Sequence, residues 1–266
     1  MESEENYTLA IAVNNIEILE KNLYLSPDVQ RVHKHQILVK KNFPSASIAY
    51  NSAIDEAENE IIIFIHQDIY LPENWLSDLR QSLLYLKEKQ INWGVLGCFG
   101  STQAEVGIGR LCDTPWGTHG RKINNPEPVE TLDEIILVIR KSSGLRFDPL
   151  LPHFHLYGTD LCMSAKNNGM TNFAFQGFCV HNTNQLLSLP KEFYDCYRYI
   201  KKKWAKYLPI TTSCIKISCF DKEMYLREIR KFAGIALGRK RLPALRVDDP
   251  RTLISDEVRK TNELGK

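Results

Sequence analysis

No uninterrupted run of aliphatic and aromatic residues in this chain of 266 exceeds five, Ile61 to Ile65 among them. A membrane-spanning helix needs about 20, so none is expected. The opening MESEEN is acidic and polar, the wrong character for a secretory leader. Seven cysteines, Cys98, Cys112, Cys162, Cys179, Cys196, Cys214 and Cys219, form no Cys-x-x-Cys pair. That gives no support to a zinc ribbon or a redox motif, and free thiols in a reducing cytoplasm are expected. Internal repeats and low-complexity tracts are absent. So is a glycine-rich loop after the first apolar segment, where VNNIEILEKN stands. A nucleotidyltransferase cradling phosphates at that point would want one.

What is present is an ordinary globular composition, 43% hydrophobic and 25% charged. It suits one large α/β domain with an appendage. The net charge of +2 is unevenly spread. Residues 191–241 hold fourteen Lys or Arg and five Asp or Glu, giving +9 and leaving −7 elsewhere. Such a region is either a solvated helix surface or a face for an anionic partner.

Apolar segments predict strands at Thr8–Val13, Gln36–Lys40, Glu60–Ile65 and Trp93–Gly97. Between them the spacing predicts helices: IEILEKNL, a small-residue stretch after Pro44, and a segment with Trp75, Leu76, Leu79, Leu83 and Leu86 on one side. Pro72 stands just before the last of these. This β-α-β alternation argues for a mainly parallel sheet. The Ile-rich strand carries no polar alternation, so both its faces should be covered. Residues 98–130, rich in Gly and holding Pro115, Pro126 and Pro128, read as a long functional loop. Single strands are expected at 131–141 and 173–182. Helices are expected over LYGTDLCMSAKNNG, closed by Gly169, and over PKEFYDCYRYIKKKWAKYLP, with a packed stripe of Phe193, Cys196, Tyr197, Ile200 and Trp204. Past Leu242 a loosely ordered tail is expected.

Ligands in open α/β sheets sit beyond the carboxyl ends of strands. Asp68 follows the Ile-rich strand in His66-Gln67-Asp68, where a carboxylate can hold a hard divalent cation. An Asp after a strand also serves as a turn residue or helix cap. Asp160, near a predicted helix start, can be a first-turn carboxylate favoured by the helix dipole or a general base for a hydroxyl. His181 ends a strand, and such a His is a ligand or simply a surface residue; the same alternatives hold for His66. Asn14, Ser47 and Asn51 lie beside the first two strands and can touch a nucleotide or act as turn and helix residues.

Taken in order, three stretches resemble glycosyltransferase family 2, whose members share the GT-A fold. They are SASIAYNSAIDEAENEIIIFIHQDIYLPENWLSDL (45–79), GLRFDPLLPHFHLYGTDLCMSAKNNGM (144–170) and VHNT (180–183), and KKWAKYLP (202–209) is similar to a C-terminal element of a subgroup. The resemblance implies a mixed, mainly parallel Rossmann-like sheet flanked by helices over 1–189, with a basic helical extension over 190–266. It implies inverting transfer from a nucleotide-diphosphate sugar, UDP-sugar favoured, to a hydroxyl of a glycan or lipid-linked glycan, with hexosyltransferase-type chemistry. Asp68 and His181 would hold Mn²⁺ or Mg²⁺, with imidazole favouring Mn²⁺. Asp160 would be the base. Val13, Asn14, Ser47, Asn51, His66 and Gln67 would bind the nucleotide-sugar. Trp116, His119, His155 and Tyr157 would face the acceptor under a closing loop. Residues 191–241 would meet anionic membrane from the cytoplasm, and nucleic acid is not an expected partner. In three places this chain departs from the family pattern, one being Thr159 where a Glu often precedes the Asp of the base motif. Its metal motif reads His-Gln-Asp, without the first carboxylate of Asp-x-Asp, and Lys40-Lys41-Asn42 stands where an acidic residue often reads the base. The alternative is a non-catalytic relative that binds a sugar or a protein.

Overall fold

The computed structural model describes residues 6–30, 35–227, 229 and 243–254. β1 (Tyr7–Val13) is almost wholly buried, and α1 (Ile16–Lys21) follows it, capped by the Asn15 side chain accepting from Glu17 N. A short α2 (Pro27–Gln30) leads to β2 (Gln36–Lys41), which pairs parallel to β1. α3 (Ala46–Glu56) is capped by Ser45 accepting from Ile48 N. Ala46, Ala49 and Ala53 are fully buried on this helix, so their small side chains let its backbone approach the sheet closely. β3 (Ile61–Ile65) is buried at every residue and pairs parallel to β1. The two-residue β4 (Ile69–Tyr70) comes next, then α4 (Trp75–Glu88), which buries Trp75, Leu79, Leu83 and Leu86 on one face. β5 (Trp93–Gly97) completes the part read most directly from apolar pattern.

Residues 98–130 are largely strand, in place of the expected long loop. They form β6 (Phe99–Ser101), β7 (Val106–Asp113), β8 (Gly117–Arg121) and β9 (Glu127–Val129). The glycines serve close approach between strands. A Cβ on Gly109, at φ +92, would lie 2.1 Å from the Cys98 carbonyl oxygen. Glycine therefore hides the period-2 signal a strand normally shows.

The stretch 131–141 is two strands. β10 (Thr131–Leu132) pairs with β6, whereas β11 (Ile136–Arg140) runs antiparallel to β3. Likewise 173–182 divides. After α5 (Tyr157–Asn167) and a turn at Gly169, β12 (Thr171–Ala174) joins the main sheet and β13 (Cys179–His181) joins the other. The main sheet has the order β2-β1-β3-β11-β5-β12-β9; the second runs β10-β6-β7-β13-β4, with β8 added on β7. Antiparallel β11 sits between parallel neighbours, so the sheet is mixed, with helices against it.

α6 (Lys191–Lys203) buries Phe193, Cys196, Tyr197 and Ile200 in the same apolar core as α3, α5 and β11. A small hairpin, β14 (Ile210–Thr211) with β15 (Lys216–Ile217), follows it. Past Leu242 the sequence suggested a loose tail, yet residues 243–254 lie docked. Ala244, Arg246 and Val247 hydrogen-bond to Gln185, Asn184 and Asn182, and Leu253 and Ile254 pack near Tyr70, Cys112 and Val180. Among the described residues no helix is long and apolar enough to cross a membrane.

Candidate active site

β3 delivers His66, Gln67 and Asp68 past its carboxyl end, and two neighbouring pairings decide what meets them. β13 lies between β7 and β4, with His181 opposite both Asp113 and Ile69. That register carries the His181 ring to Asp68, with Nε2 3.5 Å from Oδ1. The Asn182 amide donates to the Asp68 carbonyl at 2.9 Å and holds the two loops together. His66, Asp68 and His181 each offer a ligand atom, all within 4.8 Å of one another, and no other such group occurs among the described residues.

The arrangement fits a divalent cation. His181 Nδ1 lies 2.7 Å from Asp113 Oδ1, a carboxylate that orients the ring and leaves Nε2 for a ligand bond. Tyr157 gives its single proton to the Glu134 carbonyl at 3.0 Å, and its oxygen is 2.6 Å from His66 Nε2. With the hydroxyl proton on the carbonyl, His66 Nε2 donates to Tyr157 and Nδ1 is the lone pair that can face an ion. Two imidazoles and one carboxylate suit a transition ion such as Mn²⁺ better than Mg²⁺.

Charges in the cluster are strongly coupled. Burial, the largest single influence, would raise the Asp68 carboxyl, but the charge and hydrogen bond of His181, together with His66 and Arg246, hold it well below the usual carboxylate range. Burial would likewise lower His181, whereas the carboxylates of Asp68 and Asp113 hold it well above its ordinary value, so a cation would take Nε2 by displacing its proton. Burial pushes His66 down to about 4, against the pull of Asp68, so it is neutral near pH 7.

Beside the cluster opens a cleft of about 330 Å³ lined by Val13, Asn14, Lys40, Phe43, His66, Gln67, Asp68, Phe154 and Tyr157, among others. Gln67 bridges β1 to the β3 loop. Its Oε1 accepts from Asn14 N and Asn15 N at 3.2 and 3.1 Å, and its Nε2 donates to Asn14 Oδ1 at 2.6 Å. The Gln67 amide is thus spent on holding the cleft wall. Lys40 is 7% exposed and paired with Glu56 at 2.5 Å.

Other residues named from sequence play different parts. Asp160 is not a base facing the cleft. It is 1% exposed, accepting from Trp204 Nε1 at 2.7 Å and from Lys203 Nζ at 2.8 Å. Burial raises its carboxyl, and the Lys203 charge opposes that rise. Its role is to tie α5 to α6, because the whole first turn of α5 is buried and Lys203 and Trp204 approach Asp160 there. Ser47 is fully buried on α3, outside the cleft lining. Asn51 spends its amide on both backbone groups of Phe147, at 2.8 and 3.0 Å. Tyr157 is 2% exposed and positions His66. His155 packs edge-on against Phe193. His119 reaches Asp113 at 3.3 Å, and Trp116 stands exposed at the tip of the β7–β8 hairpin.

Three contributors went unread. Asp113 orients His181, Arg246 reaches Asp68 from the docked tail, and Glu134 sits in the break between β10 and β11. No sequence spacing links 113 or 246 to 68; only strand register and tail docking do. The Glu134 carboxylate accepts from Gly158 N at 3.4 Å at the start of α5. A Cβ on Gly158 would lie 3.0 Å from Glu134 Cβ, so a side chain there would press on Glu134. Burial first, and the Asp133 charge second, push the Glu134 carboxyl up to about 8.

A family model described as "Glycosyltransferase like family" matches residues 9–207. A curated protein of Fuscovulum blasticum, "ATP synthase subunits region ORF 6", is 25% identical over 166 residues, which are 60% of this chain and 66% of that one. Among solved structures, GalNAc-T7 with UDP, GalNAc and Mn²⁺ superposes with a TM-score of 0.51 at 10% identity, over 79% of this chain and 50% of that chain. TarS 1–349 of S. aureus in complex with UDP-GlcNAc gives 0.44 at 15% identity, over 75% and 66%. The first of these likenesses shows the GT-A fold. This chain spans about half to two thirds of the length of these three proteins.

Proposed function

Since the chain belongs to this glycosyltransferase-like family, we propose that it is a metal-assisted inverting glycosyltransferase. It would move a sugar from a nucleoside-diphosphate sugar, UDP-sugar favoured, to a hydroxyl of a glycan or lipid-linked glycan. One observation carries the reading: the His66–Asp68–His181 cluster stands at the carboxyl end of β3, beside a cleft open to Val13 and Asn14. Val13 and Asn14 would flank the base, with Asn14 held by Gln67. When bound, a divalent ion would neutralise charge on the departing diphosphate.

Inversion asks for a carboxylate that takes the acceptor proton as the new bond forms. We assign this to Glu134. β11 pairs Ile136 with Ile65, and the Ile135 carbonyl accepts from His66 N at 3.0 Å, so Glu134 lies beside the end of β3. It keeps partial solvent access. A carboxyl near about 8 is also matched to proton transfer close to neutral pH. The acceptor oxygen bonds to the anomeric carbon as the carbon–oxygen bond to the diphosphate breaks. The hydroxyl proton passes to Glu134, and the nucleoside diphosphate leaves.

Thermal shift tests the donor site. UDP, GDP, ADP and their sugars, each with and without Mn²⁺, should include one nucleotide that raises Tm only with the metal. Absence of any nucleotide shift would move the reading to the non-catalytic alternative.

The lipid-linked acceptor has separate support. Phe220, Tyr225, Leu226 and Ile229 are exposed in the basic segment 191–241, beside Lys222 and Arg227, while residues 228 and 230–241 of that segment lie outside the described residues. Apolar and cationic groups together suit an anionic surface on the cytoplasmic side. Lys201 and Lys203 contribute less, being paired with Asp221, Asp148 and Asp160. The protein should co-sediment with vesicles containing phosphatidylserine and not with neutral ones; equal binding to both would remove this support.

A further inference from the structure

We infer that Arg246, carried by the docked tail, is a binding residue for the diphosphate of the donor. This rests on the donor-site reading above. The tail reaches the site by a specific set of bonds. Gln185 N donates to the Ala244 carbonyl at 2.8 Å, and Ala244 N to Gln185 Oε1 at 3.1 Å. Arg246 N donates to Asn184 Oδ1 at 2.9 Å. Val247 is held on both sides by Asn182, whose Oδ1 accepts from its N–H and whose Nδ2 donates to its carbonyl, each at 2.8 Å. Asn182 also donates to Asn22 Oδ1 at 2.8 Å and accepts from Thr114 at 3.0 Å. One buried residue, Asn182, therefore fixes the tail through its side chain and the loop that holds Asp68 through its backbone N–H.

This anchoring sets the Arg246 guanidinium over the cluster with its donors unspent. Nη2 stands 3.8 Å from Asp68 Oδ2, near enough for attraction but too long for a hydrogen bond. Nε is buried and has no partner. A buried donor left unmatched is costly, and a planar guanidinium matches two oxygens at once. Asp68 is the group through which the diphosphate would be bridged, so an oxyanion bound there meets Arg246 directly. The tail would thus supply the second positive charge that a divalent ion alone does not give to two phosphates.

Inorganic pyrophosphate is the cleanest probe because it carries no base. Calorimetric titration with Mn²⁺ should show wild type binding pyrophosphate and Arg246→Ala binding it about tenfold to a hundredfold more weakly, the range of charge-assisted bonds. Arg246→Lys should recover part of the loss. UMP, with one phosphate fewer, should lose less than UDP. Pyrophosphate affinity unchanged in Arg246→Ala, with Asp68→Ala abolishing it, would overturn the Arg246 assignment and leave the donor site standing. Equal losses for UMP and UDP would overturn it too, by showing that the change merely loosens the tail. Wild type that binds neither pyrophosphate nor any nucleoside diphosphate with metal would sink both readings.

Discussion

Asp68→Ala should abolish metal-dependent nucleotide binding, the largest effect expected of any single change in the donor site. Asp68 is the only carboxylate among the three groups that converge there, because His66 stands where a second would help. Removing it leaves two imidazoles and no negative charge against a divalent ion, so apparent Mn²⁺ affinity should fall by well over about a hundredfold. Asp113→Asn should do less. Asp113 holds His181 through Nδ1 at 2.7 Å without itself facing the ion, and such supporting partners typically contribute about 10- to 100-fold. The order of the two losses is the discriminating result, and Mn²⁺ titration followed by nucleotide thermal shift reads it. If Asp113→Asn lost more than Asp68→Ala, the ion would sit on the Asp113 side of His181. Both variants should stay folded, because Asp68 and Asp113 keep partial solvent access and each leaves His181 one carboxylate.

Most of the framework was legible because apolar pattern and helix caps are local. β1, β2, β3, α4 and β5 fall close to where uninterrupted or helically spaced apolar residues put them, and Gly169 closes α5 at φ +73 as read. The failures have a common cause: side chains that hide periodicity. Gly107 and Gly109 disguise β7 as loop, and the polar Asp133–Glu134 pair hides the break that turns one expected strand into β10 and β11. The site failed in the same way. Asp68 and His181 were visible as strand-end residues, but their meeting depends on β13 lying between β4 and β7. Asp160 could be read as a first-turn carboxylate or as a base because its place near a helix start suits both. Its burial follows from Trp204 and Lys203, which approach from α6 some forty residues along the chain.

That displacement makes the second large effect a contrast between two carboxylates. Glu134→Gln should lower sugar transfer by about 10²- to 10⁴-fold, the span of general-base contributions, while nucleotide–Mn²⁺ affinity stays within about twofold. Asp160→Asn should do the opposite. It removes the charge opposite Lys203 from a nearly inaccessible position, but Lys203 keeps Asp148 as a partner, so the fold should lose about 1–3 kcal/mol and Tm should drop, with the transfer rate of the folded fraction little altered. The pH dependence separates them further. A base must be deprotonated, so the acid limb of the transfer rate should lie toward about 8, where burial and Asp133 put Glu134, not near the ordinary Glu value of about 4.3. Stability carries the matching sign. The folded state binds the Glu134 proton more tightly than the unfolded chain does, so stability should fall as pH rises from the ordinary Glu value to about 8. Glu134→Gln should flatten that slope, and urea titrations at several pH values would measure it. A flattened slope with full transfer activity would make Glu134 a buried structural acid and leave the base to another group. Loss of activity with the slope unchanged would instead place the proton elsewhere than on Glu134. Only the joint result, a lost rate and a lost slope with nucleotide affinity intact, fits a carboxylate held at the start of α5 to take the acceptor proton.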